Sequence, residues 1–295
     1  MEDVRLQKWV AELGLASRRE AERWIRAGRF SINGKKIRSL GAKVNPDGDS
    51  VTLDGKLLHK SVPPRVYLVL NKPDLCLTSR VSEEGKPTIY DIPAVKRQKM
   101  KLNPVGRLDF RTEGLLILSN DGDLSQRLMH PRSRVPRMYA VLLNKPLSDE
   151  KEARIRKGLY FEDGPVKGVQ LERRKRARMG NTRGQWYRVT VQEGRNRLVR
   201  RIFAAVGAQV VRLVRVGLGD LALPTGMKPG EVRELKSRDV TLLKRAAEGK
   251  FRKPIVRTVD RPAKAKVSMR PKSRTSGSRQ GAPAGKRLTG RRSLQ

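Results

Sequence analysis

The chain has 295 residues, 67 of them Lys or Arg against 29 Asp or Glu, a formal net charge of +38 with 37% hydrophobic content. Such an excess gathers polyanions by long-range attraction and counterion release, so nucleic acid is the first partner to consider, and the apolar share suffices for a core in at least part of the chain. A single cysteine, Cys76, and two histidines, His59 and His130, leave no intramolecular disulfide and argue against a zinc cage or Ser-His-Asp chemistry. No run approaches the ~18 apolar residues of a spanning helix and MEDVRLQKWV lacks a signal-peptide core, so a soluble, cytoplasmic protein with no membrane partner is expected.

Residues 1–62 read as a small module of their own. Leu6, Trp9, Val10 and Leu13 share one helix face, Gly14 suits its end, and Ser17 followed by Glu20 is a capping pattern for a second helix. Phe30 and Ile32 alternate around an Asn33-Gly34 turn, which predicts a hairpin, and VTLDGKLL (residues 51–58) repeats the strand signal with Asp54-Gly55. Arg18, Arg19, Arg23 and Arg26 recur along the second helix, and Lys35 and Lys36 follow the first hairpin turn. A helix face and a hairpin tip thus present cations together, as a phosphate-binding surface would; a merely solvated charged helix would carry the same run.

Pro63-Pro64 marks a linker, after which residues 63–245 mix strands and helices without regular βα alternation. RVYLVLNKP is a strand ending at Lys72-Pro73. VGRLDF (residues 105–110) reads as a loop leading into LLILSN, a short apolar strand, and RMYAVLL (residues 137–143) opens another strand with Tyr139. EGRNRLVRR (residues 193–201) is an arginine cluster entering a helix. The fold class is α+β, with a mixed, antiparallel-rich sheet and flanking helices. Residues 246–295, rich in Lys, Arg, Pro, Gly and Ser, form a basic tail expected to be disordered when free and able to add affinity for RNA without sequence preference.

Asp109 stands at a strand entrance, where a loop can hold a side chain at a cleft edge. By itself such an Asp is as readily a turn or capping residue. Tyr139 could be an ordinary half-buried strand aromatic, and Trp186 and Tyr187 look like core and strand surface.

The helix pair leading to GRFSINGKKI resembles the S4-type RNA-binding domain. The ordered set LNKP (70–73), VGRLDFRTEGLLILSNDGDL (105–124), RLMHP (127–131), RMYAV (137–141) and EGRNRLVRR (193–201) resembles the pseudouridine synthases, in the branch whose S4 head accompanies modification of ribosomal RNA. DGPVKGVQLE (163–172) and GQWYRVTVQEGRNR (184–197) are most similar to the large-subunit members. One departure is Leu198, where many relatives have Gln.

The resemblance implies isomerisation of a uridine in ribosomal RNA, 23S RNA or a large-subunit assembly intermediate, by a monomer needing no cofactor, metal or protein partner. It places Asp109 as the nucleophile, Tyr139 as the aromatic on the target base, and Arg200 as the arginine supporting the carboxylate. A charged carboxylate can attack carbon or stabilise a sugar cation, and a buried arginine keeps it charged where water is excluded. Arg107 is the candidate to fill the space a flipped base vacates. Lys72, Arg195, Arg197 and Arg201 are assigned to RNA contact, with Arg18, Arg19, Arg23, Lys35 and Lys36 of the head. A non-catalytic ribosome-assembly factor and a base-removing glycosylase are the competing readings.

Overall fold

The computed structural model describes residues 3–59, 61, 63–179 and 182–251; the basic tail lies outside them from residue 252 onward. The chain begins with β1 (Val4–Arg5), α1 (Leu6–Glu12), α2 (Arg18–Arg26), β2 (Phe30–Ile32), β3 (Lys35–Ile37), β4 (Lys43–Val44), β5 (Val51–Leu53) and β6 (Lys56–Leu57). The Ser17 side chain accepts from the Glu20 amide and caps α2. Asn33 and Gly34 both have positive φ, 49° and 78°, as do Asp54 and Gly55, 48° and 79°. These are the turns whose twist matches paired strands, so β2–β3 and β5–β6 close as the dipeptides dictate. Leu6, Trp9, Val10, Ala21, Ile25, Phe30, Val44 and Val51 form the core of this module. Each large apolar side chain there contributes about 1.5–3 kcal/mol.

The larger part comprises β7 (Tyr67–Lys72), α3 (Pro93–Lys96), β8 (Asn103–Pro104), β9 (Glu113–Ser119), α4 (Gly122–Met129), β10 (Arg137–Leu143), α5 (Asp149–Lys157), β11 (Leu159–Phe161), β12 (Gly164–Val166), β13 (Gln170–Met179), β14 (Thr182–Val191), α6 (Leu198–Ala204), β15 (Val210–Leu218), β16 (Leu221–Ala222), β17 (Val232–Glu234) and α7 (Ser237–Ala247). Among the described residues, nine strands make one sheet in the order β13-β14-β10-β15-β9-β7-β17, with β16 on β15 and β8 on β9. Every pairing in it is antiparallel except β9 with β15. The α+β expectation therefore holds.

LLIL in β9 is continuously apolar because both faces of the strand are covered. Leu115 and Ile117 pack with Val69 against Leu124 and Leu128 of α4 and Leu243 and Ala246 of α7. Leu116 and Leu118 face the other way, with Leu68, Leu70, Ile89, Val95 and Leu108. On the far half of the sheet, Val141, Tyr187, Val189 and Leu213 pack against Ile155 of α5 and Leu198, Ile202 and Phe203 of α6. Tyr187 is wholly buried, its hydroxyl accepting from the Leu147 amide at 2.9 Å, and Trp186 is half-buried, as expected of core and strand surface.

Two features fix β9 against β15. Gly114 has φ +103°, and a Cβ there would lie 2.2 Å from the Arg215 carbonyl oxygen, so only glycine lets the two backbones meet. Beside it, buried Glu113 accepts both bonds of a fork from Arg212, at 2.6 and 2.7 Å. No helix among the described residues is long and apolar enough to cross a membrane.

Candidate active site

The loop before β9 is held by its backbone. Lys72, at the end of β7, is fully buried, and its ammonium donates to the carbonyls of Thr112 (2.9 Å), Pro73 (3.0 Å) and Phe110 (3.3 Å). The Cys76 amide also donates to the Phe110 carbonyl, at 3.2 Å. The Thr78 hydroxyl donates to the Leu108 carbonyl at 2.8 Å, and Arg200 reaches from α6 to donate to the Arg111 carbonyl at 2.7 Å. Inside the loop the Thr112 amide donates to the Asp109 carbonyl at 3.0 Å. Asp109 is therefore gripped on both sides while its half-buried side chain remains available: among the described residues nothing within 4 Å forms an ion pair with it.

Asp109 lines a cavity of about 690 Å³ whose wall also includes Arg107, Met129, Arg137, Tyr139, Arg197 and Arg215. Half-buried Tyr139 lies on β10 directly across from Arg215 on β15. The register slips between Met138 and Tyr139, leaving Val216 as an extra residue in β15. That bulge puts Val214 and Val216 with Met138 on one face, and lets Leu213, Arg215 and Leu218 all reach the cavity on the other. Asp109, Tyr139 and Arg107 thus line one cavity.

Two expectations need correction. Lys72 does not meet RNA at the surface, because its three donors are spent on loop carbonyls beneath Asp109. Burial pushes its pKa down to about 8, against the pull of Cys76, Asp74, Glu113 and Asp109. Arg200 does not pair with Asp109; it bonds the Arg111 and Val210 carbonyls and lies outside the cavity wall. Burial lowers its pKa and the charge of Arg197 acts in the same direction, while Asp109 opposes both through space. The buried Leu198 that replaces glutamine packs into the apolar core behind it.

Arg195 and Arg201 are partly exposed and ion-paired within the protein. Arg195 bonds Glu193, Asp163 and the carbonyls of Gly164 and Pro165, and Arg201 forks onto Asp163 at 2.6 and 2.8 Å while lying over the Phe161 ring. These bonds hold the β11–β12 hairpin to the rim, and the hydrogen bond from Arg201 draws the Asp163 carboxyl down to about 2. Arg197, in the left-handed region at φ 49°, is exposed on the cavity wall, as is Arg107.

On the small module Arg18, Arg19, Arg23, Lys35 and Lys36 are all exposed. The Lys36 and Arg38 side chains pass within 3.0 and 2.9 Å of where a Gly28 Cβ would sit, just beyond the C-terminal end of α2. Lys8 of α1 meets Asp123 at the start of α4, at 2.8 Å.

An acid on a clamped loop at the edge of an open cavity, with a cationic module ahead of it, defines an enzyme that acts on RNA. The chain belongs to the RNA pseudouridylate synthase family: residues 66–205 match that family and residues 4–51 match the S4 domain. It is 40% identical over 253 residues to an uncharacterized RNA pseudouridine synthase of Aquifex aeolicus (strain VF5), covering 85% of this chain and 98% of that one. It is also 40% identical over 251 residues to ribosomal large subunit pseudouridine synthase B of Escherichia coli (strain K12), covering 83% of each. A crystal structure of a pseudouridylate synthase superposes with a TM-score of 0.55 at 31% identity, over 81% of this chain and 99% of that one.

Proposed function

We propose that the protein converts a uridine of large-subunit ribosomal RNA, 23S RNA or an assembly intermediate, to pseudouridine in the cytoplasm, with Asp109 acting at the sugar carbon. The observation that carries this reading is the Asp109 carboxylate, free of any protein partner among the described residues, at the wall of a cavity it shares with Tyr139. The reaction breaks the N1–C1′ bond, turns the uracil, joins C5 to the same C1′, and moves the C5 proton to N1, so atoms and electrons balance without a redox step. A carboxylate that captures C1′ keeps the sugar from water while the base turns.

The target base must leave its stack to enter the cavity, at a cost of a few kcal/mol. Exposed Arg107 at the mouth is suited to occupy the vacancy, since a guanidinium stacks on bases and bonds phosphates. Tyr139, on the same cavity wall, stacks on the uracil. Arg200 serves by fixing the Arg111 carbonyl, which sets where the loop holds its acid. The exposed cations of the small module supply phosphate contacts away from the chemistry. The large-subunit assignment rests on the Escherichia coli relative's name.

A site-resolved pseudouridine map of ribosomal RNA from cells with and without the protein tests this. Loss of pseudouridine at a large-subunit position in the deletion strain, restored by the purified protein, is the expected result. An unchanged map with RNA binding intact would make it an assembly factor, and release of free uracil a glycosylase.

A further inference from the structure

Arg215 is 3% exposed, in the middle of β15, a strand that is apolar but for it and Arg212. Its Nε donates to the Leu115 carbonyl at 2.8 Å, while its Nη2 is buried without a hydrogen-bond partner. No acid pairs with it among the described residues; the ionisable groups acting on it are Tyr139 and Arg137. Burial works against its charge, Arg137 adds repulsion, and the Tyr139 hydroxyl alone favours the guanidinium. Arg137 is half-buried, gives one bond to the Val135 carbonyl at 3.3 Å, and feels Glu193 only through space. Two guanidiniums without a bonded acid thus line the wall that also carries Asp109.

A buried cation lacking a counter-ion is strongly disfavoured, and a close-packed core has no use for one. The chemistry supplies what the fold omits. When the N1–C1′ bond breaks, its electron pair departs with N1, and the uracil becomes an anion delocalised onto its two carbonyl oxygens. It stays so until C5 bonds C1′ and the C5 proton passes to N1. Phosphates, being hydrated, suit the exposed Arg107 and Arg197 at the mouth instead.

We propose that Arg215, with Arg137 beside it, is a cationic floor that stabilises the detached uracil as its anion while the ring turns. This rests on the pseudouridine synthase reading above, and holds whether Asp109 attacks C1′ or removes a sugar proton, since both release the same anion. Preorganised charge of this kind lowers the barrier because no solvent must reorient as the anion forms.

The test compares Arg215→Gln and Arg215→Lys with wild type in single turnovers on a synthetic ribosomal RNA stem-loop carrying uridine, or 5-fluorouridine, at the mapped position. Loss of the N-linked nucleoside is read by mass spectrometry, and RNA affinity separately. Fluorine withdraws electrons and makes the base a better leaving group, so dependence on the cation should shrink. Arg215→Gln should slow the uridine substrate about 100-fold and the fluorinated one only about 10-fold, with Arg215→Lys recovering part of the loss. Equal slowing of both substrates, or a weaker affinity that accounts for the whole loss, overturns the proposal, because a structural or phosphate-binding role is blind to the leaving group. If Arg215→Gln does not fold, Arg215→Lys carries the same two-substrate comparison. A wild-type protein that isomerises no ribosomal uridine would instead sink the parent reading.

Discussion

Replacing Lys72 with methionine tests whether the Asp109 loop is held by an ammonium grip. The side chain keeps its length but loses three donors, those to Thr112, Pro73 and Phe110. Hydrogen bonds from a charged donor contribute about 1.5–3 kcal/mol each, and the 3.3 Å bond to Phe110 counts for less. Against them stands the desolvation that takes the lysine from 10.5 to about 8, worth about 3 kcal/mol, which methionine escapes. The net loss is about 1–4 kcal/mol, or roughly 3–12 °C in melting temperature for a domain of this size.

A loop shifted by about 1 Å should also cost about 100-fold in single-turnover rate. Wild type offers a second reading with pH. Above about 8 the folded chain releases a proton that the unfolded chain keeps to 10.5, so stability contributed by this lysine rises with pH across that window. The neutral amine, however, has two N–H groups for three carbonyls, so the rate should fall over the same range. Calorimetry and pre-steady-state kinetics at pH 7 and pH 9.5 separate the two. A Lys72→Met protein that melts with wild type and turns over at its rate would refute the grip.

Asp109→Asn should abolish isomerisation while leaving RNA affinity within about 2-fold, since no fold contact uses the carboxylate; chromatographic separation of the digested nucleosides with tandem mass spectrometry, which tells the equal-mass isomers apart, and filter binding read the two quantities. Gly114→Ala should destabilise the protein by about 3 kcal/mol or more in denaturant titrations, as the added methyl meets the Arg215 carbonyl and the backbone sits at positive φ. Asp163→Asn should release Arg201, whose only paired acid it is among the described residues, loosening the β11–β12 hairpin while strengthening RNA binding and steepening its salt slope by about 1; Arg195 keeps Glu193. Arg18→Glu with Arg19→Glu should weaken RNA binding and flatten the salt slope without moving the melting temperature, because both side chains are exposed and no ion pair among the described residues uses them.

What the sequence revealed was governed by distance along the chain. Asn33-Gly34 and Asp54-Gly55 specify their turns by local φ alone, and Ser17 caps its helix three residues on, so the small module was legible. The loop at Asp109 was recognisable from its ordered motifs. Lys72 was misassigned because a lysine after a strand looks like a surface cation until the fold brings the Phe110 and Thr112 carbonyls over it. The pairing of Arg201 was hidden for a related reason: its acid, Asp163, lies in a hairpin more than thirty positions away. Arg215 did leave a trace. VVRLVRVGL places one cation on each face of an apolar strand; Arg212 found Glu113, and Arg215 found none.

The grip on residues 108–112 runs almost wholly through main-chain oxygens. Placement of the reactive group is therefore indifferent to which side chains stand at Phe110 and Arg111, and those two positions are free to drift or be retuned toward a new RNA contour. Alanine scanning across this stretch would pass over the anchoring altogether, whereas swapping one amide for an ester at the Phe110 or Thr112 carbonyl would expose it.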